Sequence, residues 1–148
     1  MDKTENELKK EFLNSYQVAK RDVIRLEEQL AELRINKLSP SCEIGDGLPH
    51  AHNITDLSGY AARVDELEQE IIEARYERIA AYERVKRCIE TMEDEREKTL
   101  LTYRYIRGMK WEEIAVKMDY KWRNVHKIHS KALYNLKMDI VMHTQPVL

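Results

Sequence analysis

A chain of 148 residues with 35% charged and 43% hydrophobic residues has the length of one ordinary domain, or of a small domain with an extended appendage. With only 4 Gly and 3 Pro beside abundant Glu, Lys, Arg, Leu and Ala, it excludes a mostly-β domain and favours long exposed helices. The net charge is −2, no apolar run nears the roughly 18 residues that cross a bilayer, and no secretory leader is recognisable, so a cytoplasmic, non-membrane protein is expected.

The first element spans about residues 3–38. Leu8, Phe12, Tyr16, Ala19, Val23, Leu26, Leu30 and Leu33 recur in steps of three and four, a heptad-like stripe along one helix face. The stretch from Ser39 to Gly59 holds Pro40, Gly45, Gly47, Pro49 and Gly59 and has no helical period, so it reads as a connecting loop. Its Cys42, His50 and His52 lack a fourth ligand and a known metal spacing. The same holds for the pair His126 and His129, so no metal is expected. Cys42 and Cys88 read as free thiols of a reducing compartment.

A second long helix is expected over about 58–92, with a stripe running from Tyr60 through Val64, Leu67, Ile71, Ala74, Ala81, Val85 and Cys88 to Met92, interrupted at Arg78. Two helices of matched length, each roughly 50 Å at 1.5 Å per residue, predict an antiparallel hairpin or a coiled coil with another subunit. Leu13, Ile24, Ile72 and Ile79 lie off the stripes and favour packing against a further chain. Residues 1–92 are therefore taken as an assembly region, and a homo-oligomer held by the long helices is expected.

From residue 93 the period changes. EDEREKTLLTYRYIRG reads as a shorter helix with acids in its first turn, Arg104 and Arg107 in its last, and Gly108 as its left-handed stop. Two short helices follow. Ile114, Ala115, Met118, Tyr120, Val125 and Ile128 face inward, Ala115 admits a steep helix crossing, and Asp119 takes a left-handed turn. The outward face of the second helix then carries Trp122, Arg123, His126, Lys127, Ser130 and Lys131. This is a helix-turn-helix, residues 93–148, with a basic second helix suited to the major groove.

Charge is distributed to match. Residues 99–138 hold nine Lys or Arg against three acids, a net +6, while the remainder holds 16 bases and 24 acids, a net −8. From Tyr120 to Met138 there is no acid at all. A carboxylate on that face would repel phosphates, whereas each Lys or Arg displaces counterions on contact. Double-stranded DNA is the expected partner, met by Lys110, Lys121, Trp122, Arg123, Asn124, His126, Lys127, Ser130 and Lys131. No catalytic triad, phosphate loop or metal set stands at a useful spacing, so neither an enzyme nor a cofactor is expected.

The segment LLTYRYIRGMKWEEIAVKMDYKWRNVHKIHSKALYNLK, Leu100 to Lys137, resembles region four of bacterial sigma factors. It is most similar to the version in phage and prophage transcription regulators of the ArpU and RinA type. The resemblance implies an all-α fold in which a long helical hairpin or coiled coil precedes a sigma region-four-like helix-turn-helix. It further implies promoter binding, contact with bacterial RNA polymerase, and activation of late phage genes in a bacterial host. The sequence departs from the family where Ser or Thr usually caps the two helices, since Lys110 and Lys121 stand there. At the base-facing positions it has Trp122, Arg123, Asn124, His126 and Lys127, so the promoter element of primary sigma factors is not expected to carry over. A small terminase-like DNA-packaging subunit and a sigma-like protein-interaction module fit the same pattern as alternatives.

Overall fold

A computed structural model describes residues 3–38 and 52–137. The elements are α1 (Glu5–Leu38), α2 (His52–Glu90), α3 (Glu95–Leu101), α4 (Trp111–Met118) and α5 (Trp122–Asn135), with a π-helical stretch over Thr102–Ile106 continuing α3. The fold is all-α, a long helical pair followed by a helix-turn-helix. α1 opens on a reciprocal cap, the Glu7 N–H donating to Thr4 Oγ1 (3.3 Å) and the Thr4 N–H to Glu7 Oε2 (3.0 Å). α2 begins at His52, ahead of the expected start near 58, because helix persists through residues that show no apolar period. Cys42 and His50 lie outside the described residues, as does the side chain of His52.

The chain forms two compact units, and α1 and α2 contribute to both. Of the described residues, those within Met1–Ala19 and Arg78–Leu148 form one unit, and those within Lys20–Glu77 form the other. In the second unit Leu26, Leu30, Leu67 and Ile71 are buried, with Leu33, Val64 and Ala74 against them. Its helices run antiparallel, since Arg75 pairs with Glu27 (3.0 Å) and Arg34 with Glu68 (2.7 Å). These pairs are half exposed and contribute little stability each, so burial of the apolar stripe carries this unit.

The first unit spans the expected boundary between residues 92 and 93. Leu13 of α1 and Val85, Cys88, Ile89 and Met92 at the end of α2 share one buried core with Leu100, Leu101, Tyr105, Ile114, Val125, Ala132 and Leu133. Packing here is continuous across the expected junction. Leu13, read as a spare position, is fully buried, while Leu8 of the expected stripe is 44% exposed. The buried face at the start of α1 is thus shifted by one residue, through Lys9 and Leu13. Ile24, Ile72 and Ile79 remain exposed. Cys88 is a free, buried thiol, pushed up to about 11 by burial against a smaller opposing effect of Lys9.

The expected single helix after residue 93 is also divided. Asp94 caps α3 by accepting from the N–H groups of Arg96 (2.8 Å) and Glu97 (3.4 Å). From Thr102 the turn widens, and the Arg107 N–H reaches the Thr102 carbonyl at 3.0 Å. Gln17 of α1 donates its amide to the carbonyls of Tyr105 (3.1 Å) and Ile106 (3.0 Å), satisfying acceptors at the end of that stretch. Gly108, at φ 69°, then turns the chain; a Cβ there would also crowd Gln17. Glu97, 3% exposed, accepts two bonds from the Asn135 amide (2.9 and 3.1 Å), joining the start of α3 to the end of α5.

Candidate nucleic-acid interface

The link between α4 and α5 fixes how α5 is presented. Asp119 adopts the left-handed conformation (φ 58°, ψ 45°). The Tyr120 N–H returns to the Ala115 carbonyl at 3.0 Å and the Asp119 N–H to Val116 at 3.2 Å, so α4 ends in a Schellman motif. Ile114 and Val125 are fully buried, and Ala115, Met118, Tyr120 and Ile128 pack against the same core. Burying each large aliphatic side chain contributes about 1.5–3 kcal/mol, which holds the two helices in one register. His129, Ala132 and Leu133 extend the buried face of α5.

The opposite face of α5 forms a shallow concave surface lined by Trp122, Arg123, His126, Lys127, Ser130, Lys131 and Tyr134. The structure brings together six of the nine residues nominated from sequence. Lys110 and Lys121 instead precede α4 and α5, and Asn124 is exposed on the first turn of α5. Tyr134, 82% exposed, was missed; it stands one turn beyond Ser130 and Lys131 on the same face. Lys121, Arg123, Lys127, Lys131 and Lys137 are all exposed. None of them is ion-paired among the described residues.

Both helices begin without a side-chain cap. Lys110 (φ −73°, ψ 154°) and Lys121 (φ −71°, ψ 148°) have the extended backbone of capping residues but cannot accept a bond from the first turn. α4 has Glu112 and Glu113 in its first turn to oppose the macrodipole, and α5 has no acid there. The start of α5 therefore combines unsatisfied N–H donors, a positive dipole end and cationic side chains, an arrangement that favours an anion.

A chain of ring contacts braces this end of α5. The Arg104 guanidinium lies over the Trp111 ring at 4.4 Å, and Trp111 touches both His126 and His129 (centroids at 4.6 Å). His126 in turn meets Trp122 at 4.0 Å. Its Nε2 is enclosed with no hydrogen-bond partner among the described residues, so contact with a ligand through that nitrogen requires the ring to turn. Trp122 remains 57% exposed.

Deeper in, the Tyr105 hydroxyl lies 2.8 Å from His129 Nε2. Burial lowers His129 to about 4, with Lys10, His126 and Arg104 adding to the shift, and raises Tyr105 to about 12 against a smaller opposing effect of Arg104. At neutral pH both groups are therefore uncharged and share one hydrogen bond, whose direction follows the imidazole tautomer. Among the described residues no group of three His, Cys, Asp or Glu is placed to hold a metal. No helix among them is long and apolar enough to cross a membrane.

Residues 94–138 match the family described as Sigma-70, region 4. The match runs from Asp94, the cap of α3, through the whole of α5, and covers less than a third of the chain. The chain thus carries a region-four domain of helix-turn-helix type, a DNA-binding kind of domain with a transcription-related role. No match was found among curated proteins or among solved structures.

Proposed function

We propose that this chain is a sequence-specific DNA-binding transcription regulator that lays the outer face of α5 in the major groove. The long helices assemble copies of the chain. In this reading it is a phage-encoded activator of late genes that acts with bacterial RNA polymerase in the host cytoplasm. What carries the reading is the exposed face of α5, where Arg123, Lys127 and Lys131 stand without acids and, among the described residues, without ion-pair partners.

In the docked state Lys110 and Lys121 meet phosphates at the two helix starts, and Trp122, Asn124, His126 and Ser130 lie beside Arg123 and Lys127 near the base edges. Phosphate contacts set position, and base-edge contacts set sequence preference. Selection of bound sites from a random DNA pool tests this. A defined consensus should emerge, and Arg123→Ala or Lys127→Ala should relax it at particular positions, by about 1–3 kcal/mol for each base no longer read. Recovery of no consensus from the full chain would contradict sequence-specific regulation.

A further inference from the structure

The assembly role proposed for the long helices can be narrowed to one face. Residues 23–34 of α1 (VIRLEEQLAELR) and 64–75 of α2 (VDELEQEIIEAR) are imperfect copies of one pattern. Val23, Leu26, Glu27, Glu32 and Arg34 return, at one constant offset, as Val64, Leu67, Glu68, Glu73 and Arg75. The ion pairs obey the same offset: Glu27 pairs with Arg75, and Glu68 with Arg34. Exchanging the two copies turns one ion pair into the other. The buried residues follow, Leu26 with Leu67 and Leu30 with Ile71. This stretch therefore has a local pseudo-two-fold axis passing between its antiparallel helices.

The axis emerges through an exposed groove floored by Leu30, Ala31, Ile71 and Ile72. Four charges frame it. Glu27 and Arg34 stand on the α1 side, with Arg75 opposite Glu27 and Glu68 opposite Arg34, so the signs alternate around the frame. Consider a copy of this frame brought face to face by a two-fold axis lying in its plane, along or across the helices. Every Glu then faces an Arg at all four corners. Ile72 is 45% exposed at the floor, and Ile24, Ile35 and Tyr76 on the same helices are exposed as well.

We infer that the partner of this groove is the same groove on a second copy of the chain, forming an isologous two-fold dimer. The inference rests on the assembly reading above and assigns it a surface. Alternating charges that complement themselves under a two-fold axis are what distinguish a second copy from an unrelated partner. The apolar floor supplies burial, and the charged frame selects partner and register.

The test uses the full chain and an exchange variant carrying Glu27→Arg, Arg34→Glu, Glu68→Arg and Arg75→Glu. The variant keeps both ion pairs within the chain with inverted signs, so its frame still complements itself. Against the wild type it sets like charges at every corner. Wild type and variant should each sediment as dimers. After mass-tagged chains are unfolded and refolded together, native mass spectrometry should find mixed dimers at under about a tenth of their statistical share. Ile72→Arg, a change at an exposed position, should weaken the wild-type dimer by at least about tenfold.

Mixed dimers at the statistical share, or a dimer unaffected by Ile72→Arg, would overturn this face and leave the assembly reading standing. A wild-type chain that is monomeric at tens of micromolar would overturn both.

Discussion

The Lys9 ammonium donates to the Leu133 carbonyl at 2.7 Å, so a side chain from the first helix satisfies an acceptor in the last turn of α5. Lys9 is only 5% exposed, and its other partner is Glu5 at 3.1 Å. A cation at a helix C-terminus is favourable, and here it also fixes the end of α5 against α1.

The helix-turn-helix should accordingly depend on α1. Lys9→Met removes the charged donor to the Leu133 carbonyl, which keeps only the longer bond from the Leu136 N–H (3.3 Å), and should cost about 1–3 kcal/mol. Leu13→Ala should cost about 2–5 kcal/mol, because Leu13 is fully buried. Urea unfolding of the full chain measures both. A fragment of residues 93–148 lacks Leu13, Val85, Cys88 and Ile89 from its core and should not unfold cooperatively.

His129 should make stability fall in acid. Its ordinary value is 6.5 and the folded protein lowers it to about 4. Between those values the unfolded chain binds more protons, so this contribution is complete above pH 6.5 and is lost as pH falls toward 4. The upper bound is about 3 kcal/mol. His129→Gln keeps a hydrogen-bonding group for Tyr105 but does not titrate. The stability difference between wild type and variant should therefore shrink or reverse between about pH 7.5 and about pH 4.5. Parallel stability curves would remove His129 from the acid response.

Lys121 should be a stability cost that is recovered on DNA. Its backbone already has capping geometry, and its side chain makes no cap bond. Lys121→Ser should gain about 0.5–2 kcal/mol from the cap, with about 0.3–1 kcal/mol more from removing a cation at the positive end of the helix. The same change should weaken DNA binding and make its salt slope shallower by about one unit. A variant that is more stable and binds equally well would place Lys121 in solvent, without a role in binding.

The outer face of α5 was legible because two independent signals coincide, the inward period of Val125 and Ile128 and the absence of acids from Tyr120 to Met138. Asp119 was legible because few residues other than Gly tolerate a left-handed turn. Leu13 and Lys9 were not, since a heptad reading assumes one partner along the whole helix, and the start of α1 packs on the helix-turn-helix core instead. The π-helical stretch had no local signal, because Gln17, which bonds two of its carbonyls, is far away in sequence. Tyr134 was missed because it follows the basic residues that mark that face.

The salt dependence of DNA binding by the full chain tests the central claim most directly. If four to six cations of the region-four domain reach phosphates, log K against log salt should fall with a slope of about −4 to −5 per domain. Lys127→Ala and Lys131→Ala together should make that slope shallower by up to about two units, or by less where Lys127 contacts bases. A binding constant that does not change with salt, in wild type and variant alike, would contradict a DNA-binding face on α5.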